Sequence, residues 1–194
     1  MQVALIKYNA GNVQSVSFAL ERLGVSFTVT DAPEDIRKAD KVLFPGVGEA
    51  STTMRYLKEK KLDQVIPALT QPVLGICLGM QLMCTHSEEN NTPCLGIFNE
   101  HVKRFTPSPS QKVPHMGWNE LTLTENWLDP ELANKHVYFV HSYYVPVNAH
   151  TAAVTNYRVP FSAAMHRDNF YAVQFHPEKS AAAGELVLKS FLKI

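Results

Sequence analysis

The sequence predicts an α/β fold: a mostly parallel central sheet flanked by helices, with a smaller antiparallel strand region in the second half. Two observations carry this reading. Up to residue 82, short apolar runs alternate with stretches whose apolar residues recur at helical spacing, as expected when strands and helices take turns around a parallel sheet covered on both faces. Beyond it, strand-like runs separated by polar or proline-rich stretches take over, and a helix returns only after Ser180.

Taken in order, residues 3–7 read as a short buried strand and 8–12 as a turn. Residues 13–23 form a helix, with apolar side chains at 13, 16, 19, 20 and 23 and Gly24 as its stop. Residues 26–30 alternate as a strand, 33–39 give one or two helical turns, and 41–44 form a strand ending at Pro45-Gly46-Val47-Gly48. Helical patterns fill 50–69, and 73–76 is a strand that leads into a helix starting at Leu78. In the second half, strands are expected near 137–145, 152–155, 162–165 and 170–175, with loops over 88–93 and 106–114 and a helix over 181–193. No linker or repeat divides the chain, so residues 1–194 are read as one domain.

Composition narrows the function classes. A hydrophobic content of 45% supports one sizeable core, and 18 basic against 18 acidic residues leave nothing that draws the chain to nucleic acid or anionic lipid. The amino terminus lacks a signal-peptide pattern, and no apolar run approaches the ~18 residues of a membrane span. Three cysteines, at 77, 84 and 94, fit neither a disulfide framework nor a C-x-x-C pair. A cytoplasmic setting is expected. The histidines show no H-x-x-x-H or H-E-x-x-H spacing, so neither metal nor cofactor is expected.

The chemistry centres on PVLGICLGMQL at 72–82, an apolar strand turning into an apolar helix with Cys77 at the corner and Gly75 and Gly79 two residues to either side. This is the cysteine counterpart of the G-x-S-x-G elbow that lifts a nucleophile above a sheet. The start of the following helix favours a thiolate there. Far downstream, FYAVQFHPEKS at 170–180 ends in His176-Pro177-Glu178. In extended chain residues two apart point the same way, so Glu178 can orient the His176 ring, which completes a nucleophile, a base and the group that holds the base. Ligands bind at the carboxyl ends of strands in open α/β sheets, and the turns at 8–12 and 45–48, Cys77 and His176 each follow an expected strand. The Gly46-Val47-Gly48 turn and the Leu78 N–H are candidates to receive an oxyanion.

PGVG at 45–48, GICLGMQ at 75–81 and HPEKS at 176–180 together resemble the class I (triad) glutamine amidotransferases, over essentially the whole chain. The resemblance implies glutamine as substrate, Cys77 as the nucleophile that forms a glutamyl thioester, His176 as base and then acid, and Glu178 as its orienting carboxylate. It further implies oxyanion-hole amides at Val47 and Leu78, and substrate contacts from Gln81 and the Ser142-Tyr143 backbone. PHMGWN at 114–119, VHSYY at 140–144, GNVQS at 11–15 and the stand-alone length are similar to the branch that partners a (βα)8-barrel cyclase in histidine biosynthesis. That narrower likeness implies a heterodimer, with Asn12, Trp118 and Lys179 facing the cyclase. The alternatives are a subunit serving an anthranilate or aminodeoxychorismate synthase, a stand-alone γ-glutamyl hydrolase, and a non-catalytic regulatory subunit.

Overall fold

The computed structural model describes residues 1–8, 12–107 and 112–194. The expected turn over 8–12, GNVQS at 11–15 and the expected loop over 106–114 therefore lie partly outside the described residues. The first half is β1 (Gln2–Ile6), α1 (Val13–Arg22), β2 (Ser26–Thr30), α2 (Pro33–Lys38), β3 (Lys41–Phe44), α3 (Ala50–Glu59), α4 (Leu62–Val65), β4 (Val73–Ile76) and α5 (Leu78–Leu82). The second half is β5 (His86–Ser87), β6 (Thr92–Pro93), β7 (His101–Arg104), β8 (His115–Glu120), β9 (Thr122–Leu123), β10 (His136–His141), β11 (Tyr143–Tyr144), β12 (Thr151–Tyr157), β13 (Val159–Arg167), β14 (Phe170–Val173) and α6 (Ala181–Lys193). Among the described residues no helix is long and apolar enough to cross a membrane.

An eight-stranded sheet in the order β2-β1-β3-β4-β14-β13-β12-β9 forms the centre. Its β2-β1-β3-β4-β14 portion is parallel and its β14-β13-β12-β9 portion antiparallel. Alternation within the parallel strands explains why both faces are apolar. Ala4, Ile6, Val42, Phe44 and Val73 pack with Ile36, Met54, Leu57 and Leu62 on one side, while Val3, Leu5, Leu43, Leu74 and Ile76 pack with Val16, Leu20, Val187 and Phe191 on the other. Two small assemblies lie apart: a β8-β10 antiparallel ribbon and a four-stranded sheet ordered β11-β7-β5-β6.

The helical patterns over 50–69 form α3, α4 and a short 3-10 turn over Ile66–Ala68, with a left-handed Lys61 between α3 and α4. PHMGWN, whose His115 reads locally as a loop residue, instead begins a strand, because β10 supplies its ladder from about twenty residues downstream. Part of the second half extends the main sheet, and part forms the separate β8-β10 and β11-β7-β5-β6 assemblies, antiparallel except for the β5-β7 pair.

Register gathers the strand ends. Phe44 pairs with Gly75, and Ile76 with Val173, so Pro45-Gly46, Cys77 and Gln174–His176 emerge side by side at one edge. The close approach depends on Gly79, where an added Cβ would lie 1.9 Å from the Phe44 carbonyl oxygen. Such overpacking ordinarily costs about 1–3 kcal/mol. Gly79→Ala is expected to lower stability to chemical denaturation by at least that order, and a loss under about 0.5 kcal/mol, the ordinary surface value, would refute the described contact between β3 and α5.

Candidate active site

Cys77 stands between β4 and α5 with φ 52° and ψ −106°, a conformation sparsely populated by residues with a Cβ. Backbone bonds hold it there: Cys77 N–H donates to Val173 C=O at 2.8 Å and Gln81 N–H to Cys77 C=O at 3.2 Å. The thiol is 3.9 Å from the Val140 carbonyl and receives the Gln174 Nε2–H at 3.6 Å. It opens on a cleft of about 410 Å³ whose walls include Val47, Gly48, Leu78, Gln81, Glu89, Pro114, Val140, His141, Ser142 and Tyr143. That volume falls within the range of small-molecule sites.

His176 and Glu178 arrive from the segment after β14, with Glu178 in a 3-10 turn over Pro177–Lys179. The ring is fully buried, and its Nδ1 is 2.7 Å from Glu178 Oε1. An acceptor at Nδ1 fixes that proton there and turns Nε2 to other duty. Nε2 has no hydrogen-bond partner among the described residues. Burial works against charge on the ring, but the Cys77 sulfur and Glu178 outweigh burial and raise the His176 pKa to about 10. Cys77, His176 and Glu178 thus form one electrostatic unit.

Asn12 joins this unit directly. Its backbone is left-handed at the entry to α1, and its Nδ2 donates to Glu178 Oε1 and lies 3.4 Å from His176 Nδ1. The side chain that the resemblance assigns to a partner face thus also contacts His176 and Glu178. Trp118 and Lys179 do reach the surface, Trp118 at 53% exposure.

The two expected oxyanion amides are not both free. Leu78 N–H donates to Gly46 C=O at 3.3 Å. In a trans peptide the C=O and N–H point in opposite directions, so the Val47 N–H of that same peptide is turned away from Leu78. The neighbouring Pro45 carbonyl accepts the hydroxyl of buried Tyr8, which burial and Cys77 keep protonated. Gly48 holds φ 119°, a value open to glycine.

Gln81 is 4% exposed, and its Nε2 donates to Tyr143 C=O and to Gln174 Oε1, both at 2.9 Å. Gln81 also lines the cleft. Glu89, Gln174 and Asn12 enter this neighbourhood without a local sequence signal. Glu89 is a half-buried carboxylate on the cleft wall whose Oε2 accepts Ala50 N–H at 2.8 Å, and burial raises its pKa. Of the other thiols, burial raises the Cys84 pKa and pushes that of Cys94 up to about 12.

Residues 4–194 match the model of the family described as glutamine amidotransferase class-I. The chain belongs to the class I glutamine amidotransferases. Among the relatives of this amidotransferase, imidazole glycerol phosphate synthase subunit HisH from Bacteroides fragilis is 60% identical over 196 residues, covering all of both chains. The protein of that name from Haemophilus influenzae is 45% identical over all of this chain and 98% of its own. A crystal structure of a glutamine amidotransferase superposes with a TM-score of 0.76 at 17% identity, covering 98% of this chain and 97% of that one, a likeness of fold.

A raised histidine pKa has a definite sign. The stability contributed by protonating His176 is fully present below about 6.5, its unfolded value, and is lost as the pH rises through about 10. Cys77→Ala removes the leading favourable partner of the charged ring, so nitrogen-15 NMR should find the His176 midpoint well below that of the unaltered chain. An unchanged midpoint would break the proposed thiolate–imidazolium coupling.

Proposed function

We propose that residues 1–194 act as one glutaminase domain, the cytoplasmic glutamine-hydrolysing subunit of an imidazole glycerol phosphate synthase, which delivers ammonia to a (βα)8-barrel cyclase partner in histidine biosynthesis. The observation that carries this reading is the convergence of Cys77, His176 and Glu178 at one sheet edge in a chain 60% identical, end to end, to a protein named for that synthase.

The chemistry follows from the charges. The Cys77 thiolate attacks the side-chain amide carbon of glutamine, and the carbonyl electron pair moves onto oxygen. As the tetrahedral adduct collapses, the C–N bond breaks, His176 gives its proton to the departing nitrogen, and ammonia leaves behind a glutamyl thioester. Water then attacks the thioester, His176 takes its proton, and glutamate departs as the thiolate re-forms. Glu178 holds the ring through both steps and balances its charge. Gln81 Oε1 and the Glu89 carboxylate, both acceptors on the cleft wall, suit the α-ammonium group of an amino acid.

The oxyanion site is closed in this state, because the Leu78 N–H is satisfied by Gly46 C=O. Rotation of the Gly46–Val47 peptide would free Leu78 and turn the Val47 N–H inward, supplying two donors together. A gate of this kind suits a subunit whose product is useful only when an acceptor is ready. The partner face we assign is the outer side of β8, where Met116 and Trp118 are 64% and 53% exposed, together with Lys179.

Glutamate release should be nearly silent for the purified chain and rise strongly with a barrel cyclase subunit and its nucleotide ligand; equal rates would overturn the gated-subunit reading. In the complex, Cys77→Ala is expected to abolish glutamine-dependent synthesis and leave ammonia-dependent synthesis intact, whereas persistent glutamine use would remove Cys77 from the nucleophile's role.

A further inference from the structure

Two buried histidines lie outside the acid–base pair, His115 on β8 and His141 at the end of β10. Their rings are hydrogen-bonded, His115 Nδ1 to His141 Nε2 at 3.0 Å. His115 is stacked against Phe139 and Tyr157 with ring centroids 4.8 and 4.0 Å away, and His141 packs against Phe105 and Phe161. Desolvation in this aromatic box keeps both rings neutral, with pKa values lowered to about 4 for His115 and about 3 for His141.

Neutrality makes the proton positions a matter of bookkeeping. His141 Nδ1 is 2.7 Å from the Tyr143 carbonyl oxygen, which can only accept, so that nitrogen carries the hydrogen. Its Nε2 is then an acceptor, and His115 Nδ1 must donate to it. His115 Nε2 is left as an acceptor for Asn119 Nδ2 at 3.3 Å. Every donor has a matching acceptor, and the relay ends on a carbonyl that also receives Gln81 Nε2.

We infer that His141, braced by His115, is a positioning residue for glutamine binding. By fixing the Tyr143 carbonyl it locks the Gln81 amide with its NH2 group turned into the protein and its oxygen toward the cleft. Without that anchor the Tyr143 carbonyl is no longer held, Gln174 Oε1 alone steadies the Gln81 NH2 group, and the Gln81 oxygen is less firmly aimed at the substrate's ammonium. The relay therefore acts on recognition of the α-amino group rather than on the bond-breaking step. This inference rests on the glutaminase reading.

The test compares His141→Leu, His141→Asn and the unaltered chain with the synthase partner present. Asparagine keeps an N–H donor near the Nδ1 position; leucine does not. With one buried anchoring bond lost, His141→Leu should raise KM for glutamine up to about tenfold with kcat within about threefold. His141→Asn should restore most of the loss. Glutaramate, which lacks the α-amino group, should be used equally by all three. An unchanged KM in His141→Leu, an equal penalty on glutaramate, or an asparagine variant no better than leucine would each overturn the inference.

Should the leucine variant not fold, nitrogen-15 shifts of the unaltered rings decide. Both histidines are expected to be Nδ1-protonated, and His141 protonated on Nε2 or charged would end the relay. If the unaltered complex releases no glutamate from glutamine, the glutaminase reading fails instead, and the ring tautomers remain readable without turnover.

Discussion

The backbone of Cys77 is the constraint on which the rest depends. A residue with a Cβ held in such a sparsely populated region costs on the order of 1–3 kcal/mol and persists only when its surroundings over-determine it. Here they do so from three directions. β14 takes its N–H, the first turn of α5 takes its carbonyl, and Gly79 lets that turn sit directly on the last carbonyl of β3. The strained corner thereby lifts a thiol over the sheet edge, toward a base arriving from the neighbouring strand. Stability in the parallel half of the sheet and readiness at the proposed nucleophile come from the same contacts.

Electrostatics divides the site into a charged part and a neutral part. His176 is buried yet inclined to hold its proton, because a sulfur and a carboxylate flank it. His141, equally buried, is inclined to stay neutral, because aromatic rings, a backbone carbonyl and a second neutral imidazole surround it. One residue type is thus set to opposite protonation states within a single site by what lies next to it. The charged histidine suits proton transfer; the neutral one suits holding a fixed hydrogen-bond direction.

What was legible in the sequence was what short-range chemistry dictates. The elbow around Cys77, the glycine pair around Val47 and the spacing of His176 and Glu178 are local patterns, and the alternation that predicted the parallel sheet is local as well. The missed features are pairings across long stretches of chain. β8 is hidden because Pro114 and Gly117 signal a turn while the strand that stabilises it comes later. Glu89 reads as one more polar loop residue until β5, β6 and β7 fold its segment against the cleft. Nothing near Gln174 says that it will meet Cys77, and nothing near Asn12 says that its amide will reach Glu178 across the whole sequence.

The same long-range pairing sets a mechanical relation between surface and interior. Trp118, exposed on β8, stands directly opposite Tyr138 in the ribbon, and the Tyr138 carbonyl receives the His176 N–H at 2.9 Å while its N–H reaches Ser180 Oγ. Tyr138 thus joins the ribbon to the segment that carries His176 through two hydrogen bonds, one to His176 and one to Ser180. The exposed indole is therefore one cross-strand pair and one hydrogen bond from the backbone of His176.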